Sequence, residues 1–130
     1  MTTEHPEEVV PSYWKSLARL ANAPVLTVAA IRGIARGGGA ELVAGLDIRF
    51  ASKEKAILGQ FEVGFGKWWR SRLFTVAANW EPGTLPGGGG IEFLPQLVGR
   101  SRALEIVIGA DDFDADTAAA YGCKCLFRIA

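Results

Sequence analysis

Two glutamates and a run of three glycines are the residues best suited to chemistry in this 130-residue chain. Gly37, Gly38 and Gly39 stand directly before Ala40 to Leu46, which reads as a short helix. Backbone N–H groups at a helix start point outward and favour negative charge. Such a loop can hold a phosphate or stabilise an oxyanion. It also serves as a plain tight connection between strand and helix, and the glycines alone favour that use. No Gly-Lys-Ser/Thr follows, so this is not a P-loop, and the spacing is not a dinucleotide fingerprint. Glu41 falls in the first turn after the glycines, where a carboxylate gains from the helix dipole in any case. Glu62 follows Gly59-Gln60-Phe61 and, taken singly, reads as a surface or loop carboxylate. Together, two glutamates beside a glycine-lined anion site suit general acid/base work next to an oxyanion. Spacing leaves open whether they converge.

Other reactive types are scarce. His5 is the one histidine and lies in a polar leader, which argues against histidine triads and zinc sites. Ser101 sits in Gly99-Arg-Ser-Arg-Ala103, but no strand precedes it and the last glycine of a nucleophile elbow is missing. Helix capping suits it better. Cys123 and Cys125 make neither a disulfide framework nor a full ligand set, so reduced cysteines and no metal are expected.

The elements around these residues suggest an α/β fold in a single domain. Ser12 to Ala21 carries an apolar stripe of Tyr13, Trp14, Leu17, Ala18 and Ala21 at helical spacing, with Ser12 as its cap. Val25 to Ile31 is a continuous apolar run, expected as a buried strand. The glycine loop and short helix follow. Asp47 to Ala51 and Ala56 to Leu58 then read as strands. Ile91 to Val98 and Ser101 to Ile108 read as helices. A last helix, Ala115 to Tyr121, has Asp114 as cap and Gly122 as stop.

Hydrophobic residues make up 49% and charged residues 22%, a composition that can bury a core. The 14 basic and 14 acidic residues balance, with no basic stripe, which argues against nucleic acid as a partner. No apolar run reaches the ~18–20 residues that span a bilayer. Residues 1–10 resemble neither a secretory leader nor a basic transit peptide. An intracellular protein, cytoplasmic by default, is the expectation.

The ordered motifs resemble the enoyl-CoA hydratase/isomerase, or crotonase, family. Ala23 to Gly33 is similar to the strand that leads into that family's glycine loop. Gly37-Gly-Gly-Ala-Glu-Leu42 and Asp47-Ile-Arg-Phe-Ala-Ser52 are similar to its next segment. Gly59-Gln-Phe-Glu-Val-Gly64 resembles its Gly-Gln-Pro-Glu motif, with Phe61 at the proline. Pro86-Gly-Gly-Gly-Gly90, Leu97-Val-Gly99 and Ala103-Leu-Glu105 complete the order.

The resemblance implies a partial crotonase-like spiral of β-β-α units and chemistry through an enolate of an acyl-CoA thioester. The CoA thioester would be the substrate, with no further cofactor. Gly38 would supply one oxyanion N–H. Glu41 and Glu62 would handle the water and the α-proton, which favours hydration of a 2-enoyl-CoA. Ala35, Gly37 and Gly39 would line the substrate. Family members assemble as homotrimers or hexamers. The other reading is a non-catalytic, truncated crotonase fragment that binds CoA or joins full-length relatives. A generic anion-binding module is a third reading.

The chain departs from the family in three places. The family's long N-terminal part, with the second oxyanion donor, has no counterpart here. Lys67 to Gly83 is an extra segment, and Lys124 to Ala130 diverges. Codons available to Gly66-Lys67-Trp68 and Pro82-Gly83 can hold intron donor and acceptor dinucleotides, and Cys123-Lys124-Cys125 can hold another donor. Excision would restore family spacing at the first site. The hypothesis that both segments are translated introns fails if gene sequencing finds no such dinucleotides.

Overall fold

The computed structural model describes residues 6–64, 85–123 and 125–128. The extra segment therefore lies outside the described residues. Among these residues eleven elements follow in order. They are α1 (Pro6–Ala21), β1 (Val28–Ile31), β2 (Ile34–Arg36), α2 (Gly38–Ala44), β3 (Ile48–Ala51), β4 (Ile57–Gly59), α3 (Gly90–Val98), α4 (Arg100–Gly109), β5 (Asp112–Asp114), α5 (Ala115–Tyr121) and β6 (Cys125–Arg128).

Successive units of the chain stack on one another. β1 pairs with β3 in parallel, Val28 opposite Ile48 and Ile31 opposite Ala51. β2 pairs with β4 in parallel, Ile34 opposite Ile57 and Arg36 opposite Gly59. One unit, β1-β2-α2, thus lies strand for strand beside the next. β6 extends the first sheet in parallel, giving the order β1-β3-β6. β5 closes the second sheet antiparallel, giving β2-β4-β5. This repetition is the spiral of β-β-α units expected above.

Polar side chains set the register. Thr27 N–H and Oγ1–H both donate to Asp47 Oδ2, at 2.8 and 2.5 Å, and Asp47 N–H donates back to Thr27 Oγ1 at 2.9 Å. These bonds pin the starts of β1 and β3 together and hold the Asp47 carboxyl below its usual range. In the second sheet Arg36 forms a forked ion pair with Asp112, reaching across β4. Gly59 makes that reach feasible, since a Cβ there would lie 2.9 Å from Asp112 Oδ1.

The core is built largely of small residues. Ala29, Ile31, Ala51, Ala56, Leu58, Ala115, Ala118 and Cys123 form one buried cluster between the sheets and α5. Leu94, Ala103, Ile106 and Val107 form a second between α3 and α4, and Val98 and Phe113 pack on both.

Arg49 on β3 is buried and, among the described residues, its bonds go to backbone carbonyls, with the Asp47 carboxylate acting on it only as a nearby charge. Its guanidinium donates to the carbonyls of Val43 (3.0 Å), Ala44 (3.3 Å), Leu46, Asp47 (3.3 Å) and Cys123 (3.1 Å). Val43 and Ala44 end α2, where carbonyls lack intrahelical donors and a cation complements the dipole.

Several local expectations are corrected. α1 starts at Pro6, and Ser12 is no cap; its carbonyl accepts from Ser16 Oγ at 2.9 Å inside the helix. Ser101 does not cap α4, which begins one residue earlier behind Gly99. The stretch expected as one glycine loop contains a strand, β2. The run Val25 to Ile31 is only half covered: Val25, Leu26 and Val28 are exposed while Ala29 and Ile31 are buried. β1 is an edge strand, and no described element covers its outer face, so alternation replaces full burial. Asp114 does cap α5, accepting from Thr117 N–H at 2.8 Å, and Gly122 ends it at φ 92°.

Candidate active site

The site forms where β2 runs into α2. Gly37 takes φ +51°, a conformation open to glycine at little cost. Its N–H donates to Gly59 O at 3.0 Å, and its own carbonyl accepts from Glu41 N–H at 2.9 Å. α2 then starts at Gly38, whose N–H has no acceptor among the described residues. That outward donor is what an oxyanion hole requires.

Glu41 is on the first turn of α2 and only 3% exposed. A buried carboxylate needs partners. Two come from the Pro86–Gly90 segment: Gly88 N–H and Gly90 N–H both donate to Glu41 Oε1, at 2.8 and 3.0 Å. The described residues place no hydrogen bond on Oε2. The glycines of this loop are dictated by space. A Cβ on Gly88 would overlap Glu41 Oε2 and stand 2.5 Å from Tyr13 Cε1; one on Gly90 would stand 3.1 Å from Gln60 Nε2.

Glu62 approaches from the other side. A Cβ on Gly37 would lie 2.7 Å from Glu62 Oε1 and 2.8 Å from Phe61 Cε1, so the glycine makes room for both. Burial raises the Glu62 pKa above the usual carboxylate value, and the nearby Glu41 charge pushes it the same way against a backbone hydrogen bond. Its Oε2 is buried with no partner among the described residues. Gln60, 1% exposed, likewise has neither amide atom paired among the described residues.

α1 closes the site from above. Tyr13 O–H donates to Gly38 O at 2.5 Å. Its pKa is raised by burial first and by Glu41 second. Trp14 Nε1–H donates to Gly87 O.

The structure therefore brings Gly37, Gly38, Glu41 and Glu62 to one place. Gly39 lies exposed on the same turn. Ala35 is on β2, half-buried opposite Leu58 and packed against the core cluster. Ser101 is far along the chain at the exposed start of α4. Sequence reasoning missed the grip of Gly88 and Gly90 on Glu41 and the polar roles of Tyr13 and Trp14. The glycine run itself was a signal for the first. Nothing in a helical apolar stripe signals the second.

A family model described as enoyl-CoA hydratase/isomerase matches residues 1–124. The chain belongs to the enoyl-CoA hydratase/isomerase family. It is 37% identical over 103 residues to the mitochondrial methylglutaconyl-CoA hydratase of Mus musculus, covering 79% of this chain and 27% of that protein. The Rattus norvegicus protein of the same name is 36% identical over 121 residues, covering 91% and 33%. Among solved structures, an enoyl-CoA hydratase from Bacillus anthracis aligns at TM-score 0.76 and 30% identity, covering 95% of this chain and 41% of that one. One from Thermoplasma volcanium aligns at TM-score 0.73 and 26% identity, covering 93% and 43%. The α/β arrangement described above is thus the crotonase fold. The chain spans about a third of the length of these curated hydratases. No described helix of this family member is long and apolar enough to cross a membrane.

Proposed function

We propose that the protein adds water to a 2-enoyl-CoA thioester through an oxyanion-stabilised enolate. The observation that carries this reading is the approach of Glu41 and Glu62 to one glycine turn, with Glu41 anchored at one oxygen and Glu62 holding its proton more tightly than usual. The thioester carbonyl lies at Gly38 N–H, with Ala35, Gly37 and Gly39 along the substrate. As charge grows on that oxygen, a fixed donor contributes ~3–4 kcal/mol. The water oxygen bonds to C3 while Glu41 Oε2 takes its proton. Glu62 delivers a proton to C2, and the pair then re-equilibrates one proton between them. Every step uses the chain's own carboxylates and amides, and CoA enters as part of the substrate. The names of the relatives make methylglutaconyl-CoA the first substrate to assay.

The test is enoyl-thioester hydration by the purified protein, its E41Q variant and its E62Q variant. Turnover that falls by ~10²–10⁴ in each variant is expected for general acid/base groups. Equal turnover in all three overturns the assignment. The second reading, a non-catalytic fragment that binds CoA, rests on oxyanion donors drawn from one element: among the described residues the candidates are the free N–H groups at the start of α2, Gly38 with Gly39 beside it. Loss of one donor costs ~10²–10³ in rate. CoA binding without turnover favours that reading.

A further inference from the structure

Trp14 and Glu41 are joined through a single peptide group. The Trp14 indole N–H donates to the carbonyl of Gly87. The same peptide unit ends in the Gly88 N–H, which donates to Glu41 Oε1 at 2.8 Å. The chain is therefore indole N–H, peptide C=O, peptide N–H, carboxylate. Donation to a peptide oxygen polarises that peptide and makes its N–H a stronger donor, and the effect grows where water is excluded. Gly88 and Glu41 are buried, Trp14 is half-buried and Gly87 is exposed, so water is excluded at the carboxylate end of the chain. The peptide that carries the Gly90 N–H, the second donor to Oε1, takes its donors from Glu92 and Phe93 N–H on Gly89 O, at 3.1 and 2.9 Å, and has no bond to Trp14, so Gly90 serves as an internal comparison for the loss of the indole.

We propose that Trp14 is a positioning residue for Glu41, acting through the Gly87–Gly88 peptide. It aims and strengthens the Gly88 N–H that anchors Oε1, leaving Oε2 turned to the reacting groups. Its neighbour Tyr13 holds the opposite glycine segment through Gly38 O. Two adjacent residues of α1 thus set the spacing between the Gly38 N–H and the Glu41 carboxylate. The catalytic meaning of this link rests on the hydratase reading, but the link itself does not.

The experiment compares backbone and indole N–H resonances of ¹⁵N-labelled protein at neutral pH. Wild type, E41Q and E62Q are compared, because Glu62 and Tyr13 are the titratable groups facing Glu41. The W14F spectrum assigns the indole signal by its loss. From wild type to E41Q the indole signal is expected to move together with the Gly88 amide, and in E62Q both stay near their wild-type positions. In W14F the Gly88 amide proton shifts upfield more than that of Gly90. An indole signal indifferent to Glu41→Gln, while the Gly88 amide responds, overturns the proposal. If W14F does not fold, the wild-type and E41Q spectra decide, with the indole assigned by its contact to Gly87. Where turnover is measurable, W14F lowers kcat and leaves KM near its original value. A protein without turnover but with the coupled resonances sinks the hydratase reading and keeps this one.

Discussion

At the scale of single residues, Glu62 links chemistry to stability. Its folded-state pKa is raised, so the folded protein favours the protonated form. That contribution is fully present below the unfolded-state value and is lost as pH rises through the raised folded value. Above the unfolded-state value Glu62 is therefore a burden on the fold. E62Q should melt at a higher temperature than wild type at pH 7, and the gap should close as pH falls below the ordinary carboxylate range. A thermal scan at several pH values checks this; a lower melting temperature at pH 7 contradicts it. Gly88 permits a second prediction. A Cβ there collides with the Glu41 carboxylate and the Tyr13 ring. G88A should displace Glu41 and cost ~10² or more in turnover, with a smaller loss in CoA affinity, readable from separate kcat and KM values. The two glutamates and Gly38 were legible in the sequence because motif order singles them out. Tyr13 and Trp14 were not, because residue type and helical spacing describe their apolar bodies and say nothing of where their polar tips go.

At the scale of elements, α2 bears the site at one end and is held by Arg49 at the other. The buried guanidinium meets carbonyls from α2, from the turn before β3 and from Cys123 just after α5. R49M keeps the aliphatic volume but leaves those carbonyls without their donor. It should destabilise by on the order of 3 kcal/mol, seen as a lower urea midpoint at unchanged slope. A loss within about 0.5 kcal/mol, the range of ordinary surface changes, would show that the clamp is dispensable. The sequence reading placed most helices and strands to within a few residues. It missed β2, β5 and β6 because segments of three or four residues carry no readable period. It overstated the burial of β1 because an apolar run does not reveal whether a strand sits at the centre or at the edge of its sheet. The caps divide in the same way. Asp114 meets the amide of Thr117, whereas Ser101 is overtaken because Gly99 already supplies the break before α4.

At the scale of the whole molecule, the fold is a stack in which each β-β-α unit lies on the next. The catalytic-type residues come from the junctions of that stack: Gly37 to Glu41 after β2, Glu62 after β4, and Gly88 and Gly90 at the entry to α3. Strand pairing of β2 with β4 carries Gly37 alongside Gly59, and so brings Glu62 within reach of the glycine turn. This is why residues twenty or more positions apart converge, and why spacing alone left their convergence open. The measurement that tests the central claim most directly is the product formed from a 2-enoyl-CoA in D₂O, read by NMR and mass. Hydration by a fixed acid/base pair predicts a C3 hydroxyl and one deuterium at C2, both lost in E62Q. A product with a shifted double bond and no hydroxyl, or no product from protein that folds and binds CoA, would contradict it.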